Sequence, residues 1–457
     1  MIREKMIIFG ASKHGQRAFD ELSANYDVVA YSDNNSNLWG RELNGVPVIS
    51  PDRICDYGVT VCVCVCVGRY MGEVAKQLQK LGIEGLLLRP YGMEYDCNYG
   101  NSIPVIRDNQ SYITKRNKDS LAVLFVQDYP CARTRKIATA LKNRGVETYA
   151  ISPLSANDSN AFINEYTFSS FSQLIDFVNN SDIDIVHSSN EPDEFSAVLT
   201  NANKVLVHDV HDLVSMVFEP NVAELSLEFL ANTYADGVIC TTCAMADMMR
   251  KKYNIGSDIH VLENYPYESF SYNRLPKLSD KDSVLHLVYS GAILQGPHYM
   301  YDKLWLKIVS QNVQIHFYSA YAASTCGYLE SISPYIHYEG NYRDAELVEQ
   351  LSQYDCGLLY FNLEHPKYFN YINNASPNKL YEYLDAGLPL AIGDVPAHLD
   401  FAQKHDCGGY LDLTGNIYTQ LKKIADMKIP RDFLQKNSMT MDSQAERIIE
   451  FYKSLLK

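Results

Sequence analysis

No apolar run in the chain approaches the roughly 20 residues that a membrane-spanning helix needs; the longest candidate, Val59 to Val67, has the length of a strand. The opening MIREKMIIFG runs from a short apolar stretch straight into a glycine turn. It lacks the longer apolar region and small-residue cleavage site of a secretory signal. Positive charge is also short. The net charge is −15, which excludes broad nucleic-acid binding, since that needs a basic surface. The eleven cysteines are an odd number with no export signal, so a reducing, cytoplasmic setting is expected. There are no internal repeats. Gln16-Arg17 after Gly15 break the phosphate-loop pattern, which needs Lys and Ser/Thr there.

What remains is ordinary globular composition, 46% hydrophobic and 21% charged over 457 residues. At about 150 residues per domain, this predicts roughly three domains. The pattern of short apolar runs alternating with helical segments predicts an α/β fold with parallel sheets. One unit spans 1–110, with strands at Met6–Phe9, Val28–Tyr31 and Val59–Val67 and a helix around Met71–Leu81. A polar linker over 101–118 follows. A second unit spans 119–280, with strands at Leu121–Val126, Ile183–Val186, Lys204–Val207 and Gly237–Cys240. A third spans 281–430, with strands at Leu285–Tyr289, Gln314–Tyr318, Cys356–Phe361 and Leu388–Ile392. The last stretch, 431–457, reads as a helix with a Ser443–Glu446 capping box and a buried stripe through Ala445, Ile448, Ile449 and Tyr452.

The most informative segment is SPNKLYEYLDAGLP, residues 376–389. Ser376 is a good N-cap residue, and Pro377 suits the first helical position. Gly387 and Pro389 close the helix. A helix start offers free N–H groups and partial positive charge, to which Lys379 adds a full charge. Glu382 lies on the same face as Lys379, roughly 9 Å along the axis from Ser376. A diphosphate at the tip would bring its ribose against that carboxylate. The helix sits between two apolar strands, so its tip falls at the carboxyl edge of a parallel sheet, where ligands bind.

Other clusters are weaker. Gly10-Ala11-Ser12-Lys13-His14-Gly15 follows a strand and precedes a helix, with Ser12 where a dinucleotide fingerprint has its second glycine. Asp33 ends the next strand, where a ribose-binding acid would sit. A second nucleotide site at Gly10, Ser12, Gly15 and Asp33 is one reading, and an empty structural module is the other. Cys62, Cys64 and Cys66 alternate along a strand and read as small buried side chains. Thr242 fits an N-cap better than Cys240 and Cys243 fit a redox pair. His208 and His211 are not placed for a shared ion, so no metal site is expected. Arg133, Arg135, Lys136, Lys142 and Arg144 form one basic helix, read either as a solvated face or as a contact to a phosphate on a lipid-linked acceptor or membrane.

The run SPNKLYEYLDAGLPLAIGD resembles the donor-site motif of GT-B glycosyltransferases, especially those of bacterial surface-polysaccharide synthesis. Four further segments resemble that family in the same order: FVQDYPCARTRKIATALKNRGVETYAIS, HDVHDLVS, ADGVICTTCAMADMM with VLENYP, and LVYSGAI. The resemblance covers residues 120–457. It implies three Rossmann-like parallel-sheet domains, the last two forming a two-lobed transferase with the final helix packed back on the acceptor lobe. It implies transfer of a sugar from a UDP- or GDP-linked donor to a glycan or polyprenyl-phosphate-linked acceptor, with no cofactor or metal required and with peripheral contact at the inner face of the membrane. Gly291, Ser376, Asn378 and Lys379 would meet the donor diphosphate and Glu382 the ribose. His211 would face the donor sugar, and Asp128, Arg133 and Arg135 would lie on the acceptor side. Retaining members carry two glutamates separated by seven residues. Here Asn374 takes the first position, which leaves stereochemistry and sugar identity open. The N-terminal unit, with GRELNGVPVISPD, resembles the small nucleotide-binding domain of bacterial sugar acetyltransferases. The competing readings are an NAD-dependent sugar-nucleotide oxidoreductase or epimerase led by the first domain, and an inactive sugar-nucleotide-binding protein.

Overall fold

The computed structural model describes residues 5–457 apart from 13–14, 17–18, 20–22, 24–25, 60, 65–76, 79, 82–84, 89–111, 129, 154–159, 169–170, 191, 218–221, 254, 256–258, 269–271, 294–300, 320–322, 343 and 364–365. Most of the expected Met71–Leu81 helix and of the 101–118 linker lie outside the described residues, as do the thiols of Cys62, Cys64 and Cys66.

Three sheets follow one another along the chain, and each is wound from its middle outwards. The first comprises β1 (Lys5–Phe9), β2 (Asp27–Ser32), β3 (Glu42–Leu43), β4 (Val46–Ile49), β5 (Val61–Cys64) and β6 (Gly85–Leu88), in the order β3-β4-β2-β1-β5-β6. All pairs are parallel except the β3–β4 hairpin. That hairpin turns on Asn44-Gly45, both at positive φ, the signature of a tight turn matched to strand twist. The sequence reading missed it.

The second sheet comprises β7 (Ala122–Val126), β8 (Glu147–Ser152), β9 (Asn164–Thr167), β10 (Ile185–Ser189), β11 (Val205–Val210), β12 (Gly237–Cys240) and β13 (Ile259–Val261). Its order is β13-β12-β11-β10-β7-β8-β9, all parallel. The third comprises β14 (Leu285–Ser290), β15 (Val313–Tyr318), β16 (Ile336–Tyr338), β17 (Cys356–Leu359), β18 (Leu390–Ile392) and β19 (Gly408–Tyr410), in the order β16-β15-β14-β17-β18-β19, again all parallel.

The central strands are apolar on both faces because helices cover both. Ala122–Val126 and Gly237–Cys240 are buried at every position, the pattern of a doubly covered parallel sheet. In each sheet the strand order reverses beside its first strand. The reversals fall at β1/β5, β7/β10 and β14/β17. The crevice at the carboxyl ends of such strands is where open α/β sheets bind ligands.

The last helix, Met441–Leu455, follows the third sheet in sequence but packs on the second. Met441, Ala445, Ile448, Ile449, Phe451 and Tyr452 are buried against Val123, Phe125, Ile137 and Val207. At about 1.5–3 kcal/mol per fully buried apolar side chain, that stripe contributes on the order of 10 kcal/mol before ordering costs. Its start differs from expectation. Thr440 is the N-cap and shares a reciprocal capping box with Ser443, because the helix begins three residues earlier than Ser443 would place it. No helix among the described residues is long and apolar enough to cross a membrane.

Candidate active site

The second and third sheets turn their carboxyl edges toward a shared cavity of about 410 Å³. His211 and Asp212, just past β11, line one side; Ser290, Gly291 and the Ser376–Lys379 segment with Glu382 line the other. Three walls build it.

The first is the tip of the Asn378–Asp385 helix. Pro377, not Ser376, is its N-cap residue, and no side chain caps it. Ser376 is instead buried, and its hydroxyl lies between Glu263, Tyr381 and the Asn264 N–H, which it accepts at 3.3 Å. Pro377 has no N–H and a side chain without an acceptor; the Leu380 N–H turns back onto the Pro377 carbonyl at 3.1 Å, and the Asn378 and Lys379 N–H groups stand at the tip.

The second wall is the turn after β14. Gly291 has φ +136°, and a Cβ there would fall 2.9 Å from Lys379 Nζ. The positive φ is what requires glycine here, and its lack of a side chain lets the Lys379 ammonium come close. Lys379 lies over the Tyr289 ring at 3.7 Å and beside Phe361 at 5.3 Å. Burial pulls its ammonium down to about 7, against the opposing pull of Glu382. Glu382 accepts a hydrogen bond from Ser290 Oγ at 3.0 Å, and the Ser290 N–H donates to Tyr383 at 2.8 Å. The strand end and the helix are thus fastened to each other beneath the cavity.

The third wall comes from the second sheet. Asn190, at the end of β10, accepts the His211 N–H at 3.0 Å and donates to the Asp212 carbonyl. Burial lowers His211 to about 4, so the imidazole facing the cavity is neutral. Burial also raises Asp212 to about 6, opposed by a hydrogen bond from Tyr371 and by Arg133. His398 completes the lining. It is 3% exposed, stands against Phe361, and is pushed down to about 4 by burial. Sequence reasoning names Asp212 only as part of the HDVHDLVS segment and misses Tyr371 and His398. Nothing local marks them, because each acquires its position from a neighbouring element.

Two expected residues are elsewhere. Asn374 does not line the cavity. Its amide donates to the Asn370 carbonyl in its own helix at 2.7 Å, and its carbonyl accepts from Thr242 across the lobes. Arg133 is not open to a phosphate. It is 7% exposed and forks onto Asp209 with two bonds of 2.8 Å, while a third arm reaches Asn264 Oδ1 at 2.8 Å. Burial disfavours the Asp209 charge, but the Arg133 fork and His187 outweigh it and hold that carboxyl well below the usual range. His187 continues to Tyr452 at 2.6 Å, and Asn264 continues to the Ser376 carbonyl at 2.9 Å. One buried chain of bonds therefore runs from the last helix, through the second sheet, to the foot of the donor-side helix. Arg135 is half-buried, Asp128 stands past the end of β7, and Arg144 pairs with Asp442. The basic helix is largely tied inward. Thr242 caps its helix, accepting the Met245 N–H at 3.0 Å. No group of three or more His, Cys, Asp or Glu among the described residues is arranged to hold a metal ion.

In the N-terminal unit the described residues of the corresponding edge bond to one another. A Cβ at Gly15 would fall 1.8 Å from the Gly10 carbonyl oxygen, so the turn and the following segment touch. Asp33 accepts the Ala11 N–H at 2.8 Å with one oxygen and the Asn35 N–H at 2.8 Å with the other. Ser12 is exposed.

A glycosyltransferase from Rickettsia africae is similar over 74% of this chain and 99% of its own, with a TM-score of 0.55 and 12% identity. Sucrose-phosphate synthase from Thermosynechococcus elongatus is similar over 73% and 99%, with a TM-score of 0.53 and 11% identity. The two lobes have the GT-B fold. Residues 133–265 match the Glycosyltransferase Family 4 model, and residues 298–437 match the C-terminal domain of the Glucosyltransferase 3-like model. Residues 2–86 match the C2185-like N-terminal model. The expected likeness of that unit to sugar acetyltransferase domains has no counterpart among these matches. No curated protein matches the chain in sequence. The two transferase matches and the fold together support a glycosyltransferase.

Proposed function

We propose that the chain transfers a sugar from a nucleotide-sugar to a glycan or lipid-linked acceptor in surface-polysaccharide synthesis. The observation that carries the reading is the uncapped Asn378 helix tip, with Lys379 and Glu382 at one cavity wall and His211 at the other. Glycosyl transfer builds positive character on the sugar and negative charge on the departing diphosphate. The helix N–H groups and Lys379 supply fixed positive potential where that negative charge appears. A bound diphosphate would hold Lys379 protonated, since an anion nearby favours its charged form. Glu382 would take the ribose hydroxyls, and neutral His211 would hydrogen-bond the sugar. That potential replaces a divalent ion at the leaving group, so turnover is expected to survive a chelator. Asn374 would support the helix foot rather than touch the donor.

The test is release of nucleoside diphosphate from UDP- and GDP-sugars with extracts as acceptor source, with and without chelator. Release that is lost in Lys379→Ala supports the reading. No release from any donor, with nucleotide bound nonetheless, favours the alternative of an inactive sugar-nucleotide-binding protein.

A further inference from the structure

The His211 wall and the Ser376 wall of the cavity belong to different lobes, and one guanidinium is bonded toward both. Arg133 stands in the first turn of the Ala132–Lys142 helix. On one side its Nε and Nη2 fork onto Asp209 at 2.8 Å each. On the other, its Nη1 reaches Asn264 Oδ1 at 2.8 Å and the Glu263 carbonyl at 3.4 Å. All three nitrogens are engaged, so Arg133 itself is not offered to a substrate.

Each partner leads to one wall. Asp209 is the next-to-last residue of β11, and His211 follows that strand directly. Asn190 fastens the two: its N–H donates to the Asp209 carbonyl at 2.9 Å, and its Oδ1 accepts the His211 N–H at 3.0 Å. A shift of Asp209 is therefore passed to His211, which lines the cavity. Asn264 leads the other way. It lines the same cavity, and its Nδ2 donates to the Ser376 carbonyl at 2.9 Å, immediately before the Pro377 cap of the donor-side helix.

Arg133 also decides which way the Asn264 amide faces. With Oδ1 taken by a cation, the nitrogen end is the one left for the Ser376 carbonyl. Without the guanidinium the amide is free to turn over and set oxygen against oxygen.

Stability alone is a weak reason for this pair. Arg133 is 7% exposed and Asp209 0%, and desolvating both charges offsets much of their attraction. What the fork supplies is geometry. A planar guanidinium sets angles at two partners at once, which the point charge of a lysine does not.

We propose that Arg133 is a positioning residue: it spaces the His211 wall from the Ser376 wall, so that His211 meets the sugar of a donor whose diphosphate lies at the helix tip. This rests on the sugar-transfer reading and deepens it. Gly291, Lys379 and Glu382 stand on elements of the third sheet's lobe, so the diphosphate end of the donor does not depend on Arg133.

The test is titration calorimetry on the full chain. UDP and GDP are compared with UDP-glucose, UDP-galactose, UDP-N-acetylglucosamine and GDP-mannose. Arg133→Lys keeps a charge beside Asp209, and Asn264→Ala cuts the link at its far end with the ion pair intact, so the test does not hang on one variant folding. Both should bind the nucleoside diphosphate within about twofold of wild type. Both should bind its sugar conjugate about tenfold more weakly, the loss of one hydrogen bond to the sugar. His211→Ala should show the same selective loss, and adding Arg133→Lys to it should cost less than about twofold more. A merely structural role would lower the melting temperature without changing the ratio of the two affinities. A wild-type ratio in either folded variant, an equal loss for diphosphate and conjugate, full additivity with His211→Ala, or a wild type that binds the diphosphate but none of its conjugates would overturn the inference. If neither UDP nor GDP binds the wild type, the donor-site reading falls instead, and this inference falls with it.

Discussion

The first and third sheets carry the same device at the same place and finish it differently. Each first strand ends in a glycine at positive φ, Gly10 or Gly291, and each has an acid nearby, Asp33 or Glu382. At the N-terminal edge the acid spends both oxygens on backbone N–H groups of its own loops. At the donor edge the acid braces a serine beneath an uncapped helix tip that lines a cavity. Shared topology therefore leaves the two edges with different hydrogen-bond partners. A ligand site is where the fold leaves strong donors unanswered, and a structural module is where it answers them itself.

Substitution at the two glycines should separate the edges most sharply. Gly291→Val places branched atoms against Lys379, so it is expected to abolish stabilisation by any nucleoside diphosphate while the chain still folds, read by thermal shift. Gly15→Val drives a side chain into the Gly10 carbonyl and should unfold the N-terminal unit, seen as loss of the first transition in calorimetry, with the nucleotide response intact.

The two acids should differ next. Glu382→Ala removes a charged hydrogen-bond partner for ribose, a loss of about 1.5–3 kcal/mol, or roughly 10- to 150-fold in nucleotide affinity by titration calorimetry. Asp33→Ala should leave that affinity unchanged and cost the N-terminal unit about 1–3 kcal/mol in denaturant unfolding, since the Ala11 N–H loses its acceptor.

A pH titration sharpens the donor edge further. Lys379 is charged below about 7 and increasingly neutral above it. Diphosphate affinity should therefore fall as pH rises from 7 to 9, approaching tenfold per unit, with proton uptake on binding measured in buffers of different ionisation enthalpy. Lys379→Met should flatten that slope.

The smallest effects contrast two helix starts. Thr440→Ala breaks the capping box of the last helix and should cost about 1 kcal/mol in chemical denaturation. Pro377→Asp adds a side-chain acceptor at the uncapped tip and should stabilise the chain slightly while weakening nucleotide binding.

Local chemistry made part of this legible from the sequence. The SPNKLYEYL segment announces a helix start because Pro, Lys and Glu act there through backbone and near neighbours. Gly291 is readable as a turn for the same reason. The strands at the sheet centres are legible as fully apolar runs, whereas the edge strands β9, β13 and β19 are short and partly polar and were not read. Ser376 reads as a cap because that rule is local, whereas burial against Glu263 turns its hydroxyl elsewhere. Arg133 looked like surface charge until Asp209, 76 residues on, closed on it. His398 carries no sequence signal at all, since its character comes from burial by elements distant in the chain.

The central claim is that the cavity beside Lys379 is a nucleoside-diphosphate site. The most direct measurement is a thermal-shift panel of UDP, GDP, ADP, CMP and NAD on wild type and Glu382→Ala. Saturation at about 100 times Kd adds roughly 2.7 kcal/mol to the form that binds. One nucleoside diphosphate is expected to stabilise the wild type, and at the same concentration to give Glu382→Ala only about 0.3–1.4 kcal/mol, in line with its 10- to 150-fold weaker binding. A melt moved by NAD alone, equally in both proteins, would contradict it and shift the activity to the N-terminal edge.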